Sequence, residues 1–262
     1  MRLLIAIITI CLVAIAAPAR DVVTDTCGVI TRITPSEKVI YLVFTGHYSV
    51  ADSGRFENFD GIDLVLETLK RKGVKGSFFP TAITLDQPKY EASVRRIIAD
   101  GHYLSAHSYA HLRLVDDNKN TLVTSRQVED DLLLQERTLA RFGLEKEQFS
   151  TMIPPYEWYN TETASFYTRC GYTLIAPTLG LLTGEDWTYP GTKRYISARD
   201  IIDHLLHYER THSLNGYIVL IHAMDYPHRT PDDRPYRYLG SIIDFLRARG
   251  YTFSKITPLC DK

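Results

Sequence analysis

The chain has 262 residues, 45% of them hydrophobic and 23% charged, proportions of an ordinary folded protein that one domain can accommodate. Lys plus Arg number 30 against 31 Asp plus Glu, and the net charge of -1 offers no field to draw in a nucleic-acid backbone or an anionic membrane. The 17 tyrosines suit flat sugar faces and a packed core equally, so composition argues against nucleic acid as a partner and selects no other.

In chain order, Arg2, the apolar run Leu3 to Ala16 and the small residues Ala17-Pro18-Ala19 predict an export leader over 1–19. The run is shorter than the roughly 20 residues that span a bilayer. No stable membrane insertion is therefore expected after cleavage, and the mature chain is expected in the periplasm or outside the cell. Residues 20–37 read as an N-terminal extension and 38–262 as the folded domain. Cys27, Cys170 and Cys260 remain after the leader, with no C-x-x-C pair to suggest a cysteine metal site. Cys27 and Cys260 either staple the two ends or stay as separate thiols.

From Lys38 short β-type runs alternate with amphipathic helical stretches. Strands are predicted at Val39 to Phe44, Gly76 to Thr81, Tyr103 to Ala106, Thr151 to Ile153, Thr173 to Ala176 and Tyr217 to Ile221. Helices are predicted at Ile62 to Lys72, Tyr90 to Asp100, Ser125 to Phe142, Arg199 to Arg210 and Leu239 to Arg249, several closed by glycine. This alternation predicts a parallel sheet that can close as a barrel, with chemistry at the carboxyl ends of the strands. Thr45 to Asp52, His107 to His111, Pro154 to Tyr159 and His222 to Asp225 all follow predicted strand ends. The stretch Asp225 to Tyr238 reads as a long loop, either a rim or lid of the site or a solvated connection.

His107 and His111 stand four residues apart, a spacing that one helical turn would aim at a single point, as zinc or a similar divalent ion requires. The segment Asp100-Gly101-His102-Tyr103-Leu104-Ser105-Ala106-His107-Ser108-Tyr109-Ala110-His111 resembles the metal-binding segment of NodB-type polysaccharide deacetylases, carbohydrate esterase family four. Gly73 to Phe79, Pro154-Pro155-Tyr156, Asp186-Trp187, Leu220-Ile221-His222 and Arg249 to Phe253 are similar to further motifs of that family, in the right order, so the resemblance spans about Lys38 to Ile256.

The resemblance implies a distorted (β/α) barrel that binds a divalent metal, commonly zinc, and hydrolyses acetyl groups from an acetylated carbohydrate. It further implies that the metal polarises the acetyl carbonyl and lowers the pKa of its water, and that an aspartate acts as base. His222 matches the histidine acid, Asp186 the carboxylate that orients it, and the Tyr156 amide a donor to the oxyanion. The family's first motif carries two adjacent aspartates, whereas this chain has Phe44-Thr45-Gly46-His47; the arginine before Pro-Pro-Tyr is replaced by Ile153. His47 is the favoured third metal ligand. Asp52 is an alternative ligand, a base, or a turn residue before Ser53-Gly54. Glu157 is a candidate base, a hydroxyl partner, or a solvated carboxylate. Pro155, Tyr156, Trp158 and Trp187 are candidate substrate contacts. The same altered positions leave open a carbohydrate-binding protein that kept the fold and lost turnover.

Overall fold

The computed structural model describes residues 21–34, 36–49 and 58–257. The elements run β1 (Val22–Thr24), β2 (Ile30–Ile33), β3 (Val39–Gly46), α1 (Ile62–Lys72), β4 (Ser77–Pro80), α2 (Ala82–Leu85), α3 (Glu91–Ala99), β5 (Tyr103–Leu104), α4 (Ser125–Ala140), α5 (Lys146–Phe149), β6 (Thr151–Met152), α6 (Thr161–Arg169), β7 (Thr173–Leu174), α7 (Ala198–Thr211), β8 (Tyr217–His222), α8 (Leu239–Ala248) and β9 (Thr252–Ser254). The leader, Asp52 and Cys260 lie outside the described residues, and so does any pairing of Cys27 with Cys260. Among the described residues no helix is long and apolar enough to cross a membrane.

β3 and β8 are buried along their whole length and pair in parallel from Ile40–Tyr217 to Thr45–His222. Their near-continuous apolar sequences suit strands covered on both faces. The other edge of β3 is shared, with β9 against Val39 to Tyr41 and β4 against Val43 to Gly46. The sheet runs β1-β2-β8-β3-β4-β5, while β6 and β7 form a separate parallel pair tied back by the Ile30–Ile175 bridge. The result is a distorted (β/α) barrel, a curled sheet that does not close. It is also not wholly parallel. The segment read as an N-terminal extension supplies β1 and β2, which pair antiparallel with each other, and β2 in turn pairs antiparallel with β8. Their turn is held by Asp25, whose Oδ1 accepts from the amides of Cys27 and Val29 at 2.8 and 3.0 Å.

The helices cover the outer face. In α1, Ile62, Val65, Leu66 and Leu69 repeat at helical spacing and are buried, each contributing about 1.5–3 kcal/mol. Gly73, left-handed at φ 59°, ends the helix by donating to Leu69 and Lys70 carbonyls. α4 begins at a capping box in which Thr124 and Gln127 exchange hydrogen bonds. Alternation along β3 divides the core: Ile40, Leu42 and Phe44 face the helices, whereas Val39, Tyr41 and Val43 face the barrel interior with Phe79, Ile153 and Leu220.

At the amino-terminal end of the sheet, His102 is 6% exposed and its Nδ1 accepts the Gly76 amide at 3.1 Å. Burial and then repulsion from Lys75 lower its pKa to about 4. The folded value lies below the unfolded one, so the unfolded chain takes the proton first as pH falls. Stability from this residue is present above about pH 6.5 and is lost progressively down to about pH 4, roughly 2 kcal/mol after solvent screening. His102→Gln, which keeps an acceptor for Gly76, is expected to flatten that limb in urea unfolding measured from pH 7 to 4.

Candidate metal centre and active site

Four strand ends deliver the site. His47 follows β3, His107 follows β5, Tyr156 and Glu157 follow β6, and His222 ends β8. His47 lies two residues beyond Thr45, so β-alternation sends its ring to the interior, the side also used by Val43. The ligand nitrogens of His47, His107 and His111 all fall within 4.8 Å of one another. The His47 ring stacks on that of His111 at 4.0 Å and lies 5.3 Å from that of His107.

His107 and His111 do converge, but not on the expected helical turn. The segment is a bent loop with positive φ at Ser108 (72°) and His111 (58°). Sharp turning brings the two imidazoles together where helical spacing would have done so. Asp131 of α4 pins this loop by accepting from the amides of Tyr109 and Ala110 at 2.9 and 3.3 Å, and the Ser108 hydroxyl accepts from the Leu112 amide at 3.1 Å. His107 Nδ1 donates to the Ile153 carbonyl at 2.8 Å, which directs Nε2 into the site. Ile153, standing where an arginine was expected, thus orients His107 through its backbone.

His47 Nδ1 and His111 Nε2 are buried without a hydrogen-bond partner among the described residues. Burial is the largest cause lowering the pKa of His47, followed by repulsion from His111, His107 and His222; it likewise lowers His111 well below its ordinary value and His107 to about 3. All three imidazoles are therefore neutral near pH 7, with lone pairs available. Two orphaned buried nitrogens beside a third, oriented one are the donor set that a zinc-like ion fits.

Beside this trio His222 Nδ1 donates to Asp186 Oδ1, and Asp186 Oδ2 accepts the His222 amide at 2.8 Å. Burial alone would lower the His222 pKa. The charge and hydrogen bond of Asp186, with Glu157 and Glu185 behind it, outweigh burial and raise it. Glu157 Oε1 lies 3.7 Å from His107 Nε2. Burial, offset in part by His222, pushes the Glu157 carboxyl up to about 7. With His107 near 3 and Glu157 near 7, this contact is not an ion pair across most of the acid range.

The four histidines and Glu157 line one cavity of about 350 Å³ together with Tyr156, Trp187 and Tyr226. Tyr156 stacks on His111 at 3.9 Å, and both Tyr156 and Glu157 have left-handed φ, 60° and 50°. Pro155 is buried under that turn, and Trp158 lies on an adjoining chamber instead of this cavity. Tyr226 belongs to the stretch read as a rim, lid or connection. That stretch is anchored: buried Arg229 donates to Thr188, Ile196 and Asp233 carbonyls, and Asn58 exchanges hydrogen bonds with the Asp225 backbone. Aromatic character beside the final histidine was the only sequence signal for Tyr226.

The missing first-motif carboxylates have a structural counterpart in Phe59. A Cβ added at Gly46 would overlap the Phe59 ring, which fills the space behind the strand end. Gly46→Ala is expected to destabilise by about 1–3 kcal/mol through overpacking, read as a lower urea midpoint at unchanged slope. Thr45 is fully buried and its hydroxyl has no hydrogen-bond partner among the described residues.

A half-open barrel thus presents a three-imidazole cluster that could hold a metal ion, beside a carboxylate-oriented fourth histidine, at its strand ends. The polysaccharide deacetylase family model matches residues 32–175, more than half of the chain, and the chain belongs to that family. A CE4 family pseudoenzyme from Bacillus anthracis has a similar structure, with TM-score 0.65 and 20% identity, covering 88% of this chain and 68% of that one. PdaA of Bacillus subtilis, a family 4 carbohydrate esterase, gives TM-score 0.63 at 21% identity over 87% and 83%. The chitin deacetylase of the fungal pathogen Colletotrichum lindemuthianum gives 0.59 at 19% over 83% and 85%. At these identities the likeness shows the fold. No curated protein sequence matches the chain.

Proposed function

We propose that the chain is a metal-dependent hydrolase that removes acetyl groups from an N-acetylated or O-acetylated glycan, with His47, His107 and His111 as the metal set. The observation that carries this reading is the convergence of the orphaned His47 Nδ1 and His111 Nε2 with the oriented His107 beside the His222–Asp186 pair. The three imidazoles would hold a divalent ion, zinc by donor chemistry, which when bound would supply Lewis-acid polarisation of the acetyl carbonyl and a water of lowered pKa. Glu157 takes the water's proton. His222, its Nδ1 held by Asp186, carries a proton on Nε2 and gives it to the departing amine or alkoxide. Tyr156 and Trp187, on the wall of the same cavity, hold the sugar. Asp52 remains a second candidate for base or ligand. Arg2 and the apolar run after it support action outside the cytoplasm.

A second reading, a binding protein with the deacetylase fold and no turnover, is favoured by Thr45, Gly46 and Ile153 at the altered positions, and by similarity to a protein described as a pseudoenzyme. One experiment separates the two. The purified protein, loaded with zinc and then stripped with a chelator, is assayed for acetate release from chitin oligosaccharides and acetylated xylan. Release that appears with zinc and disappears without it is expected. Stoichiometric metal with no acetate from either glycan would establish the binding reading instead.

A further inference from the structure

All three donors of the histidine cluster are imidazole nitrogens, and among the described residues no carboxylate belongs to it. The strand end that leads into it carries Thr45 and Gly46, and an acidic side chain at Gly46 would have to displace the Phe59 ring. His47 is therefore the group that β3 sends to the cluster. Glu157 is the one carboxyl on the cavity wall among the described residues, and the proposed reaction gives it the water's proton. Asp186 is engaged elsewhere, with Oδ1 on the His222 ring and Oδ2 on the His222 amide.

Divalent ions differ in what they require of such a pocket. Magnesium, calcium and manganese(II) favour carboxylate, carbonyl and water oxygens, whereas zinc, nickel(II) and copper(II) suit imidazole. His107 and His47 are only 1% and 5% exposed, so an ion entering between them gives up much of its water. Three neutral nitrogens replace little of that hydration for an oxygen-seeking ion and replace it well for a nitrogen-seeking one.

We infer that His47 decides which ions the centre accepts: nitrogen-seeking ions of the zinc, nickel(II) and copper(II) class, with copper(II) the tightest, and not magnesium, calcium or manganese(II). The inference rests on the proposed function only for the metal set and needs no turnover. It makes the residue after Gly46 a determinant of ion specificity, a role separate from holding or converting the substrate.

The test reads metal binding directly. The purified protein is stripped with a chelator and dialysed against each ion in turn, bound metal is counted by elemental analysis, and Kd is measured by competition with a chromophoric chelator. Zinc, nickel(II) and copper(II) are expected at one per chain, with copper(II) tightest. Manganese(II) is expected to bind at least about 100-fold more weakly than zinc, and magnesium and calcium not to be retained. His47→Asp, which puts a carboxylate in place of the imidazole, is expected to shift the ratio of zinc to manganese(II) affinity at least about tenfold toward manganese(II). His47→Gln, which stays neutral, is expected to weaken zinc without any gain in manganese(II). Manganese(II) within about tenfold of zinc in the parent chain, or a ratio that His47→Asp leaves unmoved, would overturn the inference. So would zinc affinity unchanged in His47→Gln, or zinc affinity lowered in Asp52→Asn, which would put a carboxylate in the set. Nitrogen-ion selectivity without acetate release would sink the proposed function alone. Acetate release supported by manganese(II) as well as by zinc would sink the inference alone, and no bound ion of either class would remove the metal set on which both depend.

Discussion

His107→Ala is expected to abolish metal binding and to reduce acetate release to background. The ring is 1% exposed, and the Ile153 carbonyl fixes both its tautomer and its direction. Removing it leaves two imidazoles, and no other His, Cys, Asp or Glu cluster of metal-binding size occurs among the described residues. The readout independent of activity is thermal unfolding with and without zinc. Zinc at about 100 times its Kd stabilises a one-site protein by about 2.7 kcal/mol, so the parent chain should show a rise in Tm that His107→Ala lacks. In the metal-free state the variant should lose the packing of one ring and its hydrogen bond to the buried Ile153 carbonyl. A zinc-induced rise that survives in His107→Ala would remove this residue from the metal set.

Glu157→Gln is expected to lower acetate release about 10²- to 10⁴-fold while leaving bound metal stoichiometric. Geometry motivates this more than charge. Two consecutive non-glycine residues, Tyr156 and Glu157, are held in left-handed backbone conformations, each costing on the order of 1–3 kcal/mol. That turn carries the carboxyl into the cavity containing the three imidazoles and His222. Gln preserves shape and one acceptor but cannot take a proton, so loss of rate without loss of metal would assign the base. An unchanged rate would move the role to Asp52, with Asp52→Asn as the next comparison.

Much of this arrangement was legible in local sequence. α1 falls on its expected bounds because apolar spacing and a terminal glycine are both local signals. β3 and β8 were legible because strands covered on both faces leave continuous apolar runs. β1 and β2 went unread: they are short, partly exposed and lack alternation. α6 also went unread, although Asn160 and Thr163 form a capping pair at its start.

The sequence by itself determined the family, the barrel, and which histidines and carboxylates stand at strand ends, because motif order and hydrophobic period are written into neighbouring residues. Only the tertiary structure decided that His107 and His111 meet through a bent loop, that Phe59 fills the space behind Gly46, that Ile153 orients His107 by its carbonyl, and that a second chamber adjoins the histidine cavity. Each of these depends on distances between residues far apart in the chain, set by how the sheet curls and how ring volumes fill it.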